Sequence, residues 1–588
     1  MIQPSKIPSS KKERTVTAPR GSRFFVRSGA VDVTTDFYSD ELRPATREEM
    51  STLLMGAALL ALMALIVCFT RGYTLLYGDA VAHMGIARRI LDSHYPGMQQ
   101  LGGVWLPLPH LLMLPFVQKL YWWQSGLAGS WVSMICYVVS VLAVHGIACR
   151  LLPQRWAWLA TAFFATNPGL LYLSSTAMTE PLFIALTVSA VYLLIRTADA
   201  ITRQSEGIAS VWLMAAGLVL VGAIYTRYDG WVMAAAGWLM AANWVLRRGR
   251  WRSALGAWFA IFTVILVLAP LGWLAYNAHY FHDPLDFLRG PYSAKAVEAR
   301  SATPGARPYP ALHNMPYGSV YYLCAALMDA TGLRVYLLLA LAFGGLVLAL
   351  RRWQRSRTAL LFLWIPLPFY AYSVAYGSVP IFVPRMTPHG YYHFRYGLEL
   401  LPALAISTAL GLAALESALV ATKVAWLAPR SKSAAKWMLS TSFLLVLANF
   451  VLQTIYHPPV LTEALLTSSG RIGFEQGIAQ ALEPLPAGTP ILMYNSDFVG
   501  ALQRAGIPLK QTVSEMDGDA WQTALANPAG SAAFIVAITG DPVEKAVQAH
   551  PQGLEELSIT CTSSLPNHPC VRLYQSNRYS TQGASSSK

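Results

Sequence analysis

Residues 51–70 read STLLMGAALLALMALIVCFT, a run of twenty without one charged side chain. As an α-helix rising about 1.5 Å per residue it measures about 30 Å, the thickness of the hydrocarbon in a bilayer. The residues before it are of another kind. Lys6, Lys11, Lys12, Arg14, Arg20, Arg23 and Arg27 stand in the first 30 positions against the single acid Glu13, the pattern of a disordered tail on the cytoplasmic side. The apolar run begins too late for a removed leader and no small-residue cleavage pattern follows it, so it reads as a retained signal anchor. Composition extends this reading to the whole chain. Hydrophobic residues make up 54% and charged ones 13%, against about 25% charged in ordinary globular domains. The formal net charge of +14 is not gathered on one soluble domain, so no nucleic-acid partner is expected.

Short loops rich in Lys and Arg face the cytoplasm, and such linkers occur at 150–155, 196–203, 247–252, 351–357 and 423–436. With these and the amino terminus inside, spans are expected at 51–70, 127–149, 157–176, 181–196, 211–226, 230–246, 254–276, 333–350, 358–376, 397–420 and 437–456. The apolar segment 104–122 is left over. Letting it span would put the basic linkers on the wrong side, and Pro107, Pro109 and Pro115 each remove a helix donor. It is expected to be interfacial or re-entrant, within a juxtamembrane first loop at 71–126. The fold class expected is therefore mainly α: a polytopic membrane helical bundle of about eleven spans over 51–456. A basic tail (1–50) precedes it, and a long outer loop (277–332) interrupts it. An odd span count sends the carboxyl terminus outside, where 457–578 carries apolar runs at 490–494 and 533–538 alternating with helical stretches, the pattern of a small extracytoplasmic α/β domain. Residues 579–588 form a disordered tail. Cys561 and Cys570 lie in the outer unit, where an oxidising compartment permits a disulfide.

Ionisable residues are scarce inside the spans and frequent in the outer loops, so the outer face is the candidate site. Asp79 follows the first span and precedes a helical pattern, Ala80 to Ile90. It is either an N-cap, stabilised by free backbone donors, or a reactive carboxylate. Three further outer segments gather polar groups: 176–181 with Glu180, 225–231 with Arg227, and 391–396 with Arg395 and Tyr396. Each also has a plain reading, as a helix start before Pro181, a snorkelling anchor and an interfacial aromatic belt respectively. His83 lies one helical turn after Asp79, and His279, His282 and Asp283 form a second outer cluster. A defined metal site needs three or four ligands, so no metal ligand is assigned and a divalent metal is left open.

Together and in this order these segments resemble the GT-C superfamily of glycosyltransferases, particularly the protein O-mannosyltransferases and the bacterial aminoarabinose transferases. The features that carry the resemblance are Asp79 in the first loop, the Trp105 to His110 segment, Met178 to Pro181, Thr226 to Tyr228, and Arg395–Tyr396 with Pro402. The resemblance implies a sugar donor linked to polyprenyl phosphate, an envelope acceptor that is a lipid, a glycan or a protein, and transfer on the extracytoplasmic side of a bacterial inner or plasma membrane. It implies Asp79 as the base at the acceptor, Arg227 and Arg395 as a phosphate clamp, and Glu180, His83, Tyr396 and His110 as further substrate contacts. Where the family commonly has an Asp-Glu pair, this chain has Asp79-Ala80. One carboxylate suffices for an inverting transfer, because a phosphate leaves as a weak base and needs no general acid, unlike the alcohol expelled in glycoside hydrolysis. Two other classes remain: a transporter or flippase of lipid-linked sugars, which predicts functional charges within the spans, and a non-catalytic membrane assembly protein.

Overall fold

A computed structural model describes residues 43–301, 308–333, 335–351, 359–421, 428–496, 498–562 and 569–579. The expected tails at 1–50 and 579–588 lie almost wholly outside these residues. The first helix, Arg47–Thr70, opens on a capping box in which Thr46 Oγ1 accepts from the Glu49 N–H while Glu49 returns a bond to the Thr46 N–H. The chain is an integral membrane protein: seven helices among the described residues are long and apolar enough to cross a bilayer, or eight if the bent pair Met315–Thr331 and Tyr336–Arg351 is one span.

That is fewer than the eleven segments expected, and the reason is local. The segment expected to span at 157–176 is broken into Gln154–Ala165 and Pro168–Leu173. Asn167 caps the second piece, its Oδ1 accepting from the Leu170 N–H at 2.9 Å, and Pro168 stands in its first turn. Residues 359–376 likewise divide into the turn Ala359–Trp364 and the helix Pro366–Tyr376. Hydrophobicity summed along a window does not register such breaks. The leftover segment forms a helix of 10 residues, Leu108–Val117, about 15 Å long and half of what a crossing needs.

Between the first two long helices the chain lays down the short helices Gly78–Leu91, Leu108–Val117 and Leu120–Ser125. The long helices pack through one continuous apolar core. Beyond them, Pro459–Leu482 leads into a five-stranded sheet of order β2-β1-β3-β5-β4. Its strands are β1 (Ile491–Met493), β2 (Thr512–Val513), β3 (Phe534–Ile538), β4 (Leu554–Cys561) and β5 (Cys570–Ser576). β1 runs parallel to β2 and β3, and the β4–β5 hairpin adds antiparallel to β3. All five residues of β3 are buried while β4 is mostly exposed, as a central and an edge strand should be. Cys561 and Cys570 face each other across the hairpin and are joined as a disulfide. The sheet unit rests on the first-loop helices: Gln503 donates to the Trp123 carbonyl at 2.5 Å, and Val499 lies against Gly85.

Candidate active site

The candidate residues come from distant parts of the chain and meet at helix ends. Glu180 is the first residue of Glu180–Thr202, with Pro181 fixing the turn. Arg227 sits in the corner between Glu206–Ile224 and Asp229–Leu246. Arg395 lies in the 3₁₀ turn Phe394–Leu400, which continues into Leu401–Val420. Gly397 lets that turn approach its neighbour closely, since a Cβ there would stand 2.5 Å from Asp329 Oδ2 and 2.7 Å from the Ala326 nitrogen.

Glu180 Oε1 ties the two arginines together, 3.3 Å from Arg227 Nη1 and 3.0 Å from Arg395 Nε. Arg227 also pairs with Asp229 and Glu399, at 3.4 and 3.3 Å from its Nε, and donates to the Tyr370 hydroxyl at 2.7 Å. Arg395 gives its Nη2 to Asp79 and lies 3.7 Å, through Nη1, from Glu463. Each guanidinium stands 4.9 Å from the ring centroid of Tyr396, a cation–π contact that suits a site poor in water. Five carboxylates thus surround two guanidinium groups.

The members differ in access. The Glu180, Glu399 and Glu463 side chains are 1–2% exposed and that of Arg395 7%, whereas the Asp79 side chain is 41% exposed. The cap of Gly78–Leu91 falls at Tyr77, which makes no side-chain bond to the helix; the Asp79 carboxylate turns to Arg395 instead of capping. Arg227 does not serve as an interfacial anchor, because its charge is turned inward onto three carboxylates.

His83 and His110 pair with each other, Nδ1 to Nε2 at 2.9 Å, under the Trp105 ring, which stands 4.3 Å from the ring of His83. They flank the arginine cluster. Burial first, then the positive field of Arg395 and Arg227, lowers the His83 pKa to about 3. An unfolded histidine titrates near 6.5, so the stability contributed by neutral His83 is complete above that value and is lost as the pH falls from there towards 3. At constant ionic strength the unfolding free energy should drop by about 1.4 kcal/mol per pH unit on this account. Melting curves of the wild type and His83→Gln between pH 7 and 5 test this, since the variant should show the shallower decline.

Four participating residues lay outside the sequence candidates: Asp229, Glu399, Tyr370 and Glu463. The last sits on Pro459–Leu482, in the stretch expected to begin the outer unit. Among the described residues no group of three or more His, Cys, Asp or Glu is arranged to hold a metal ion. His279 packs edge-on against Tyr280 with ring centroids 4.6 Å apart, and Asp283 lies 3.9 Å from Arg289.

With its bundle of membrane helices, helical first loop, acid-rich cluster at the helix ends and appended mixed sheet, the chain resembles the GT-C superfamily. The model of the dolichyl-phosphate-mannose-protein mannosyltransferase family matches residues 123–283, a stretch that contains Glu180 and Arg227. ArnT from Cupriavidus metallidurans, in its structure bound to undecaprenyl phosphate, is similar at 14% identity with a TM-score of 0.54 over 90% of this chain and 98% of that one. Its apo structure is similar at 14% identity with a TM-score of 0.51 over 88% and 98%. The chain therefore shares its fold with ArnT. No curated protein matches the sequence.

Proposed function

We propose that the protein is a membrane glycosyltransferase that moves a sugar from a polyprenyl-phosphate donor to an envelope acceptor, with inversion, at the extracytoplasmic face. The observation that carries this reading is a half-exposed carboxylate, Asp79, set on a buried guanidinium, Arg395, whose other ion pairs are with buried acids. The chemistry needs a base open to an incoming acceptor and a cation for the departing phosphate, side by side. The likeness to a mannosyltransferase family and to ArnT with undecaprenyl phosphate supports the donor class.

In this reading the acceptor oxygen forms its bond to the anomeric carbon as its proton passes to Asp79. The bond from that carbon to the phosphate oxygen breaks on the opposite face, and its electron pair leaves with the phosphate. Arg395 takes the phosphate charge with its planar fork. Arg227 stands beside it, holding Glu180 and adding positive potential. Tyr396, between the arginines, and the His83–His110 pair border the sugar.

Sidedness has its own test. Ala299 lies on the exposed helix Ala294–Ser301. Cys68, Cys136, Cys149 and Cys324 are buried, and Cys561 and Cys570 are joined as a disulfide. An impermeant maleimide should therefore label Ala299→Cys on intact spheroplasts and leave the wild type unmarked. Labelling only after permeabilisation would overturn the assignment of the site to the outer face.

A further inference from the structure

The geometry points to Glu463 as a positioning residue of the phosphate site, so that the helix Pro459–Leu482 is part of the active site. This rests on the reading that Arg395 holds the donor phosphate. Glu463 spends both carboxylate oxygens on the segment just before Arg395. Oε1 accepts from the His393 N–H at 2.6 Å and Oε2 from the Phe394 N–H at 3.0 Å, while the Tyr77 hydroxyl stands 2.9 Å from Oε2. His393 has φ 54°, a left-handed conformation that a non-glycine residue keeps only where its surroundings impose it. The carboxylate supplies that constraint and sets where the next turn, and with it Arg395, begins.

The guanidinium is then held on two sides by acids that cannot move far. Glu180 occupies Nε and Glu463 lies along Nη1, both almost fully buried. The edge left is Nη2, which meets Asp79, the one exposed acid of the set, and at 3.4 Å the Tyr396 hydroxyl. A phosphate reaching Arg395 arrives at that edge and takes the place of the Asp79 carboxylate, which is thereby released toward the acceptor. Glutamine at 463 has one acceptor oxygen and an NH₂ group, so at least one of the three donors now facing the carboxylate would meet another donor.

The test compares two ligands on full-length protein in nanodiscs: undecaprenyl phosphate and undecaprenol, which share the chain and differ in the phosphate. The wild type should prefer the phosphate. Glu463→Gln should lose about tenfold in affinity for undecaprenyl phosphate with undecaprenol binding unchanged, and Glu463→Asp should recover part of the loss. Tyr77→Phe, which keeps the ring near Arg395 and deletes one donor, should show a smaller loss of the same kind and serves if Glu463→Gln does not fold. Equal weakening of both ligands means that Glu463 only maintains the fold and overturns the proposal. So does an unchanged preference in Glu463→Gln when Arg395→Gln has lost it. An unchanged preference in Arg395→Gln itself sinks the phosphate reading of Arg395, and this proposal with it.

Discussion

Asp79→Asn should abolish sugar transfer, by a factor of about 10²–10⁴ for a lost general base, in a protein that inserts and melts like the wild type. The substitution keeps the side chain's size and leaves Oδ1 as an acceptor for Arg395, but an amide cannot take the acceptor's proton. Stability should change little, because the Asp79 side chain is 41% exposed and an ion pair so open to solvent contributes at most about 1 kcal/mol. Arg395 keeps two buried acids when Asp79 is gone, so its charge stays compensated. Undecaprenyl phosphate should bind at least as well as to the wild type, since the anion that covers Nη2 has been neutralised. Loss of turnover with binding retained separates a missing base from a missing site. The measurement is transfer of radiolabelled sugar from a polyprenyl-phosphate donor by purified protein, and turnover near that of the wild type would remove Asp79 from the mechanism.

What was legible in the sequence follows from how local each signal is. The charge-free run before Thr70 declares a membrane helix by itself, and the prolines of 104–122 declare that its helix is short, because length and donor loss are properties of a single stretch. The break at Asn167-Pro168 was also written locally, as a cap residue followed by a first-turn proline, but the surrounding apolar residues concealed it. Asp79, Glu180, Arg227 and Arg395 could be nominated as polar groups at span ends. Their convergence could not, since the bonds from Arg395 to Glu180 and Asp79 join positions 215 and 316 residues apart. Glu463 is hidden in the sequence for a different reason. Read as part of a polar outer unit, an acid in Pro459–Leu466 is ordinary; read as the continuation of a membrane helix, a buried acid in an apolar turn marks function by default. The choice of boundary at 457 decided which reading applied. His83 and His110 were each nominated for the substrate, and their pairing depends on Leu108–Val117 folding back against Gly78–Leu91, which no spacing reveals.

Arg395→Met should have a large effect on stability. Methionine fills most of the volume and removes the charge, leaving Glu180 and Glu463 buried with no cation of their own: Glu180 keeps a share of Arg227, and Glu463 keeps only its neutral donors. Breaking a buried ion pair from one side costs about 3–5 kcal/mol, because the partner's charge stays desolvated and uncompensated. A clear fall in the thermal inactivation temperature of detergent-purified protein is the expected result, and an unchanged value would mean that the cluster does not hold this part of the fold together. Arg395→Lys should recover part of the loss, since an ammonium restores the charge but cannot present three separate edges to Glu180, Glu463 and Asp79 at once. The decisive comparison is the double variant Arg395→Met with Glu463→Gln. If the loss in Arg395→Met comes from an orphaned carboxylate and not from a cavity, neutralising that carboxylate removes much of the damage already done. The pair should then cost less than the sum of the two single changes, as expected for residues in direct contact, whereas strict additivity would assign the loss to packing around Tyr77 and Tyr396 and not to charge.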